Sequence, residues 1–164
     1  MLATAGPPGT ATTLQTEPTM ATSSLRAVDA QTSAADTGRL ILRLALGVLV
    51  LLHGIAKLSG PNDMIAGMVV KAGLPAALAY GVYIGEILAP VLLIVGLWTR
   101  AAAIVIVINM IFAVALVHMG ELLSIGKQGG YALELQAIFL FTALALAFLG
   151  AGRYSVGGRY GPMN

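Results

Sequence analysis

Hydrophobic positions fall into four long runs, Leu40 to Ser59, Ala76 to Trp98, Ala101 to Met119 and Tyr131 to Leu149, separated by short polar stretches. An α-helix rises ~1.5 Å per residue, so about 17 to 25 apolar residues cross a hydrocarbon core ~30 Å thick. Each run has that length and carries few charges. The pattern predicts an all-α protein, an integral membrane four-helix bundle. Ahead of it, residues 1–38 are rich in Ala, Thr, Ser and Pro and show no apolar periodicity. Such a segment buries too little surface to offset its chain entropy, so a disordered N-terminal tail is expected. It also lacks the basic start and apolar centre of a cleavable signal peptide. Residues 39–155 then form one four-span domain, followed by a flexible tail over 156–164.

The connections add detail. Met64, Ile65, Met68 and Val69 recur at helical spacing beside Asn62, Asp63 and Lys71, which predicts a short helix lying in the membrane interface. Trp98, Thr99 and Arg100 suit a tight turn at headgroup level. Residues 120–130 make a third loop that closes on Gly129 and Gly130.

Composition narrows the function classes. Apolar residues make up 58% of the chain and charged residues 10%, far below the ~25% charged of a soluble domain. The net charge of +2 comes without a basic run, so nucleic acid is not an expected partner; the lipid bilayer is. With no cysteine, the chain cannot hold an iron–sulfur cluster or run thiol exchange. Arg26, Arg39, Arg43, Arg100, Arg153 and Arg159 fall on the side of the tails and second loop, against Lys57, Lys71 and Lys127 on the other. That bias is expected to place both termini on the cytoplasmic side of the membrane.

Charges inside apolar runs are the informative residues, because each costs at least ~2.5 to 3.5 kcal/mol in hydrocarbon. His53 and Lys57 lie in the outer half of the first run, Glu86 near the middle of the second, His118 at the end of the third and Glu134 one turn into the fourth. All fall within roughly 13 Å of the outer boundary, so a shared polar pocket is expected, with Glu86, His53 and Lys57 as catalytic candidates. His118, Glu134 and Asn109 are the substrate-binding candidates, and no metal site is expected. Each also has a plainer reading. Lys57 and Glu134 can snorkel to the headgroups, His53 can satisfy itself on a backbone carbonyl, His118 can be an interfacial hydrogen-bonding residue, Asn109 can clamp two helices, and Glu86 can lock the bundle as an ion pair with Lys57 as its partner.

Structural roles are expected for the rest. Arg43, Gly47, Gly54 and Lys57 share one face of the first helix, and Gly81, Gly85 and Ala89 form a small-residue ridge on the second. Pro90 lacks the N–H that would bond the carbonyl of Glu86, which leaves an acceptor free beside that carboxylate. Arg100 anchors the second turn. No P-loop is present, and Gly150 and Gly152 miss the dinucleotide fingerprint because Ser155 stands at the third glycine.

The series Arg43-x3-Gly47, His53-Gly54-x2-Lys57-Leu58, Gly73-Leu74-Pro75, Glu86, Gly96-x2-Thr99-Arg100, His118, Glu134 and Gly150-x-Gly152-Arg153-Tyr154-Ser155 resembles the DoxX family of small bacterial membrane proteins. The likeness runs from Arg39 to Ser155; Val156-Gly157-Gly158 stand where members carry an acidic residue. The resemblance implies an oxidoreductase subunit without its own redox centre, with a quinone as candidate ligand and a redox partner protein supplying electrons. Related subunits are associated with thiosulfate oxidation coupled to quinone reduction, and others with assemblies that manage oxidative stress. The alternative is a non-enzymatic scaffold or small-solute or proton carrier. An oligomer is compatible with either.

Overall fold

The computed structural model describes residues 18–58, 62–127 and 129–164. They fall into two compact units, one ending at Ser33 and one from Ala34 to Asn164. Five helices follow one another: α1 (Pro18–Leu58), α2 (Asn62–Lys71), α3 (Ala76–Val95), α4 (Thr99–Val117) and α5 (Glu134–Leu149). Among the described residues α1, α3 and α4 are long and apolar enough to cross a membrane. The fourth apolar helix, α5, has 16 residues, or ~24 Å. It starts at Glu134 rather than Tyr131 because the preceding loop folds on itself, with Ile125 bridged to Tyr131.

Helix α1 corrects the expected tail. It begins at Pro18, whereas residues 1–17 lie outside the described residues. Proline is well placed at a helix start, and no glycine or further proline follows before Gly38. Extending a nucleated helix through Ala, Leu, Arg and Gln needs no new nucleus. The unit ending at Ser33 is helical and exposed from Thr22 onward.

The core of the second unit is apolar and drawn from four helices. Leu46 and Val50 of α1 meet Ala89 and Leu93 of α3, Ala103, Ile106 and Met110 of α4, and Phe139, Ala143 and Leu146 of α5. Gly47 makes the α1–α3 approach possible, since a Cβ there would lie 2.6 Å from Ile94 Cγ1 and 3.2 Å from the Pro90 carbonyl. The opposite faces of these helices expose Leu, Ile, Val and Phe, as expected of surfaces turned to lipid.

The 156–164 tail is also corrected: it is a packed clasp. Main-chain N–H groups of Val156 and Gly157 donate to the carbonyls of Val95 and Gly96 at 3.2 and 3.0 Å. At the start of α4, Thr99 N–H donates to Asn164 Oδ1 at 3.1 Å and Arg100 N–H to the Met163 carbonyl at 2.9 Å. Helix starts leave N–H groups without partners, so the segment supplies what α4 lacks. Arg100 fixes it further, its Nε donating to the Asn164 main-chain oxygen at 3.2 Å.

Arg43 does the same for the end of α3. Fully buried, it donates from Nε to the Leu93 carbonyl (3.0 Å), from Nη2 to Ile94 (3.2 Å), and from Nη1 to Ala151 (2.7 Å) and Tyr154 (2.9 Å). A guanidinium at the carbonyl end of a helix suits both its dipole and its open acceptors. Gly96, left-handed at φ 75°, ends α3 where a Cβ would strike this guanidinium. Asp36 lies at the same end, ahead of the apolar stretch that starts at Leu40. It is buried between Arg39 (2.7 Å) and Arg159. Burial works against its ionisation, but hydrogen bonds from Arg159 and Arg39 outweigh that, and its carboxyl is held below the ordinary 3.8.

Candidate functional site

The site is built on a local distortion of α3. Pro90 cannot donate to the carbonyl four residues back, and the turn before it, Ile84–Leu88, is wound wide, with Ala89 N–H reaching the Ile84 carbonyl. Wide turns of this kind occur mostly as single-turn insertions in α-helices, frequently at functional sites. Glu86 stands in its middle. The face of its backbone is covered by α1, for a Cβ on Gly54 would collide with the Glu86 carbonyl. Gly85 opens the other flank: a Cβ there would lie 2.5 Å from Asn109 Cβ and Cγ. Gly81 plays no such part, because a Cβ there meets nothing. The expected ridge thus reduces to Gly85 and Ala89, and Gly81 borders a cavity instead.

Two close approaches bring partners to one carboxylate oxygen. Lys57 Nζ lies 2.5 Å from Glu86 Oε1, and Asn109 Nδ2 donates to the same oxygen at 3.1 Å. Glu86 is buried, and its second oxygen, Oε2, has no hydrogen-bond partner among the described residues. A buried oxygen left unpaired is costly, so Oε2 is positioned to take a proton, a water or a ligand donor.

Three adjoining cavities surround this group. The first, about 250 Å³, is apolar, bounded by Ile65 and Val69 of α2, Leu78 of α3 and Phe112 of α4, with Asn109 at its inner end. The second, about 230 Å³, runs from Ile65, Val69, Asn109 and Phe112 to Lys57, Glu86 and His118. The third, about 190 Å³, shares Lys57, Glu86 and His118 and adds His53, Gln136 and Phe139. The Lys57–Glu86 pair borders the second cavity, largely apolar toward α2, and the more polar third, while the first reaches Asn109 and not the pair.

The remaining candidates divide. His53 enters the polar cavity, but its Nδ1 pairs with the Leu49 carbonyl of its own helix at 2.8 Å and its ring meets Phe139 edge-on at 5.5 Å. His118, which ends α4, faces both cavities. Glu134 is not brought in. It is exposed at the first turn of α5, with its carboxylate against Gly130, a position that the helix dipole favours for an acid. Arg43 and Arg100 belong to the far end with Asp36. Two residues that sequence reasoning passed over join the cluster: Glu121 Oε2 lies 3.0 Å from His118 Nδ1, and Gln136 Nε2 lies 3.4 Å from His118 Nε2. A polar side chain in the first turns of an otherwise apolar α5 was the available signal for Gln136. Among the described residues no His, Asp or Glu group is arranged to hold a metal ion.

The DoxX family model matches residues 38–119, which takes in Arg43, the Lys57–Glu86 pair, Asn109 and His118. This chain belongs to the DoxX family. Its relatives include an uncharacterized protein of Haemophilus influenzae, 33% identical over 73% of this chain and 87% of the relative. An uncharacterized membrane protein of Mycobacterium tuberculosis is 30% identical over 70% of this chain and 76% of its own length. A Bacillus subtilis protein named "Putative oxidoreductase CatD" is 29% identical over 71% of this chain and 81% of its own. No solved structure matches. The chain is thus a DoxX membrane protein in which, among the described residues, three helices are long and apolar enough to span a bilayer and a fourth apolar helix is shorter.

Proposed function

We propose that this chain is a membrane subunit of an oxidoreductase system that holds a quinone beside Lys57 and Glu86 and works with a partner protein that supplies the electrons. The observation that carries this reading is the buried Glu86 carboxylate, one oxygen paired and the other unpartnered, bordering both a largely apolar cavity that runs to α2 and a more polar one that holds His53, His118 and Gln136. A quinone needs both, since its body is apolar and its carbonyls become hydroxyls on reduction by two electrons and two protons. The chain has no cysteine, so the electrons are the partner's and the protons fall to side chains.

In this reading Glu86 holds and releases a proton at Oε2, Lys57 steadies negative charge beside it, and Asn109 fixes the carboxylate. His53 offers a second exchangeable proton in the same cavity. The apolar chamber under α2 excludes water from the ring. With the termini on the cytoplasmic side of the inner membrane, the cavities lie toward the outer half. The name of the Bacillus subtilis relative supports the class of reaction and leaves its substrate to experiment.

A second reading is favoured by the same ion pair. Lys57 and Glu86 tie α1 to α3, and a scaffold or proton carrier would use them in that way. Gentle purification followed by mass spectrometry of the bound lipids and proteins separates the two. A quinone and a redox protein are expected with the parent, and both should be reduced when Val82, which borders both chambers on the apolar side, is changed to Trp. Recovery of phospholipid alone, with no response to added short-chain quinone, would favour the scaffold.

A further inference from the structure

The polar chamber needs a route for protons, and the side chains at its mouth are graded in exposure. The Glu121 side chain is 56% exposed, His118 28% and Glu86 3%. Glu121 belongs to the loop that follows α4, His118 ends that helix, and Glu86 is buried in α3. His118 is the one of the three that faces both water-side and buried groups: its Nδ1 pairs with Glu121, its Nε2 approaches Gln136 of α5, and its ring borders both cavities that contain Glu86.

The geometry points to a proton port made of Glu121, His118 and Gln136, which connects water at the loop end of the bundle with Glu86. This rests on the reading that Glu86 exchanges protons. An imidazole can carry hydrogen on either nitrogen and on both when charged, so a proton that arrives on one side leaves from the other. Glu121 exchanges it with bulk water and with Nδ1. Beyond Nε2 the cavity of about 190 Å³ is lined by His53, Lys57, Glu86, His118 and Gln136, polar and roomy enough for several waters at ~30 Å³ each. Those waters carry the proton to Oε2, the buried oxygen without a partner. One proton enters, one leaves, and no electron moves. The charged and titratable groups around this route are Lys57 and His53 from α1 and Glu86 from α3, with Glu121 after α4; Asn109 and Gln136 are the neutral polar groups from α4 and α5.

The port is kinetic, so its test is a rate. Infrared spectroscopy of the full chain in lipid nanodiscs, with the Glu86 carboxyl band assigned by its loss in Glu86→Gln, follows protonation after rapid acidification of the buffer. His118→Leu should reach the parent's end point roughly ten-fold or more slowly. Imidazole added to the buffer should restore the rate, which a merely structural role for His118 would not allow. Glu121→Gln, a mild change at an exposed site, should slow it in the same direction. A parent-like rate in both variants would overturn the port, as would a Glu86 band that never appears. Binding of a short-chain quinone to the same proteins reports separately on the quinone reading. Binding without the kinetic effect sinks the port and spares that reading, and the kinetic effect without binding does the reverse.

Discussion

Lys57 reaches Glu86 across the α1–α3 interface at 2.5 Å, and Gly54, one turn before Lys57, lies against the backbone of that same glutamate. One face of α1 therefore holds both the main chain and the side chain of Glu86. The wide turn at Ile84–Leu88 and the glycine facing it form one device that brings a carboxylate into an apolar bundle.

Gly54→Ala should destabilise the bundle by about 1 to 3 kcal/mol, because the methyl group would meet the Glu86 backbone and the Ile87 side chain. Gly81→Ala should change stability by no more than about 0.5 kcal/mol, since its methyl meets nothing. Thermal unfolding of both variants in detergent checks the contrast. Equal losses at the two positions would show that packing at Gly54 is not special.

Arg43 serves four carbonyls with one planar fork, and no point charge replaces that geometry. Arg43→Met should cost about 3 kcal/mol or more by stripping buried acceptors of their donors. Arg43→Lys should recover less than half of the loss. Both variants should also expose residues 150–164 to protease, which mass spectrometry of the fragments would record.

Asp36 gives the same end a pH dependence. Its carboxyl is held below 3.8 in the fold, so it binds fewer protons folded than unfolded over that interval. The stability it contributes is full above the unfolded value and is lost as pH falls through the folded one. The difference in melting temperature between the parent and Asp36→Asn should be constant near neutrality and shrink in acid below 3.8. A difference that stayed constant throughout would place the clasp elsewhere.

Orientation can be read with single thiols, because the chain has no cysteine. Leu123 is 99% exposed and Tyr160 91% exposed, which makes them clean reporters of the loop end and the clasp end. In intact cells an impermeant maleimide should label Leu123→Cys and leave Tyr160→Cys untouched. The opposite pattern would put Glu121 and His118 on the cytoplasmic side.

Much of this architecture was legible from hydropathy alone. The apolar runs mark the helices, and the spacing of Ile65, Met68 and Val69 announced α2. The cost of burying a charge singles out Lys57 and Glu86 in the sequence itself, since each needs a partner and few are on offer. The clasp was not legible. It is held to Val95, Gly96 and Arg100 through main-chain groups, as Arg43 is to carbonyls 108 and 111 residues away, and a main-chain acceptor leaves no mark on a sequence. Glu134 was misplaced because helix phase depends on where a helix starts, and the loop bridge delays α5 until that residue. Gln136 and Glu121 were missed for a related reason: a neutral amide near a helix start and an acid in a loop both look ordinary until His118 stands between them.

Glu86→Gln tests the central claim most directly. A glutamine oxygen can still accept from Lys57 and Asn109, and the Lys57 side chain is 36% exposed, so the lost charge pair should cost no more than about 1 kcal/mol. The variant should fold with a melting temperature close to the parent's, bind a short-chain quinone, and lose proton-coupled quinone turnover in reconstituted membranes by roughly 100-fold or more. A loss of about 3 to 5 kcal/mol in stability, partly restored by adding Lys57→Met, would mark the pair as a structural lock instead. A stable Glu86→Gln protein with full turnover would contradict the proposal outright.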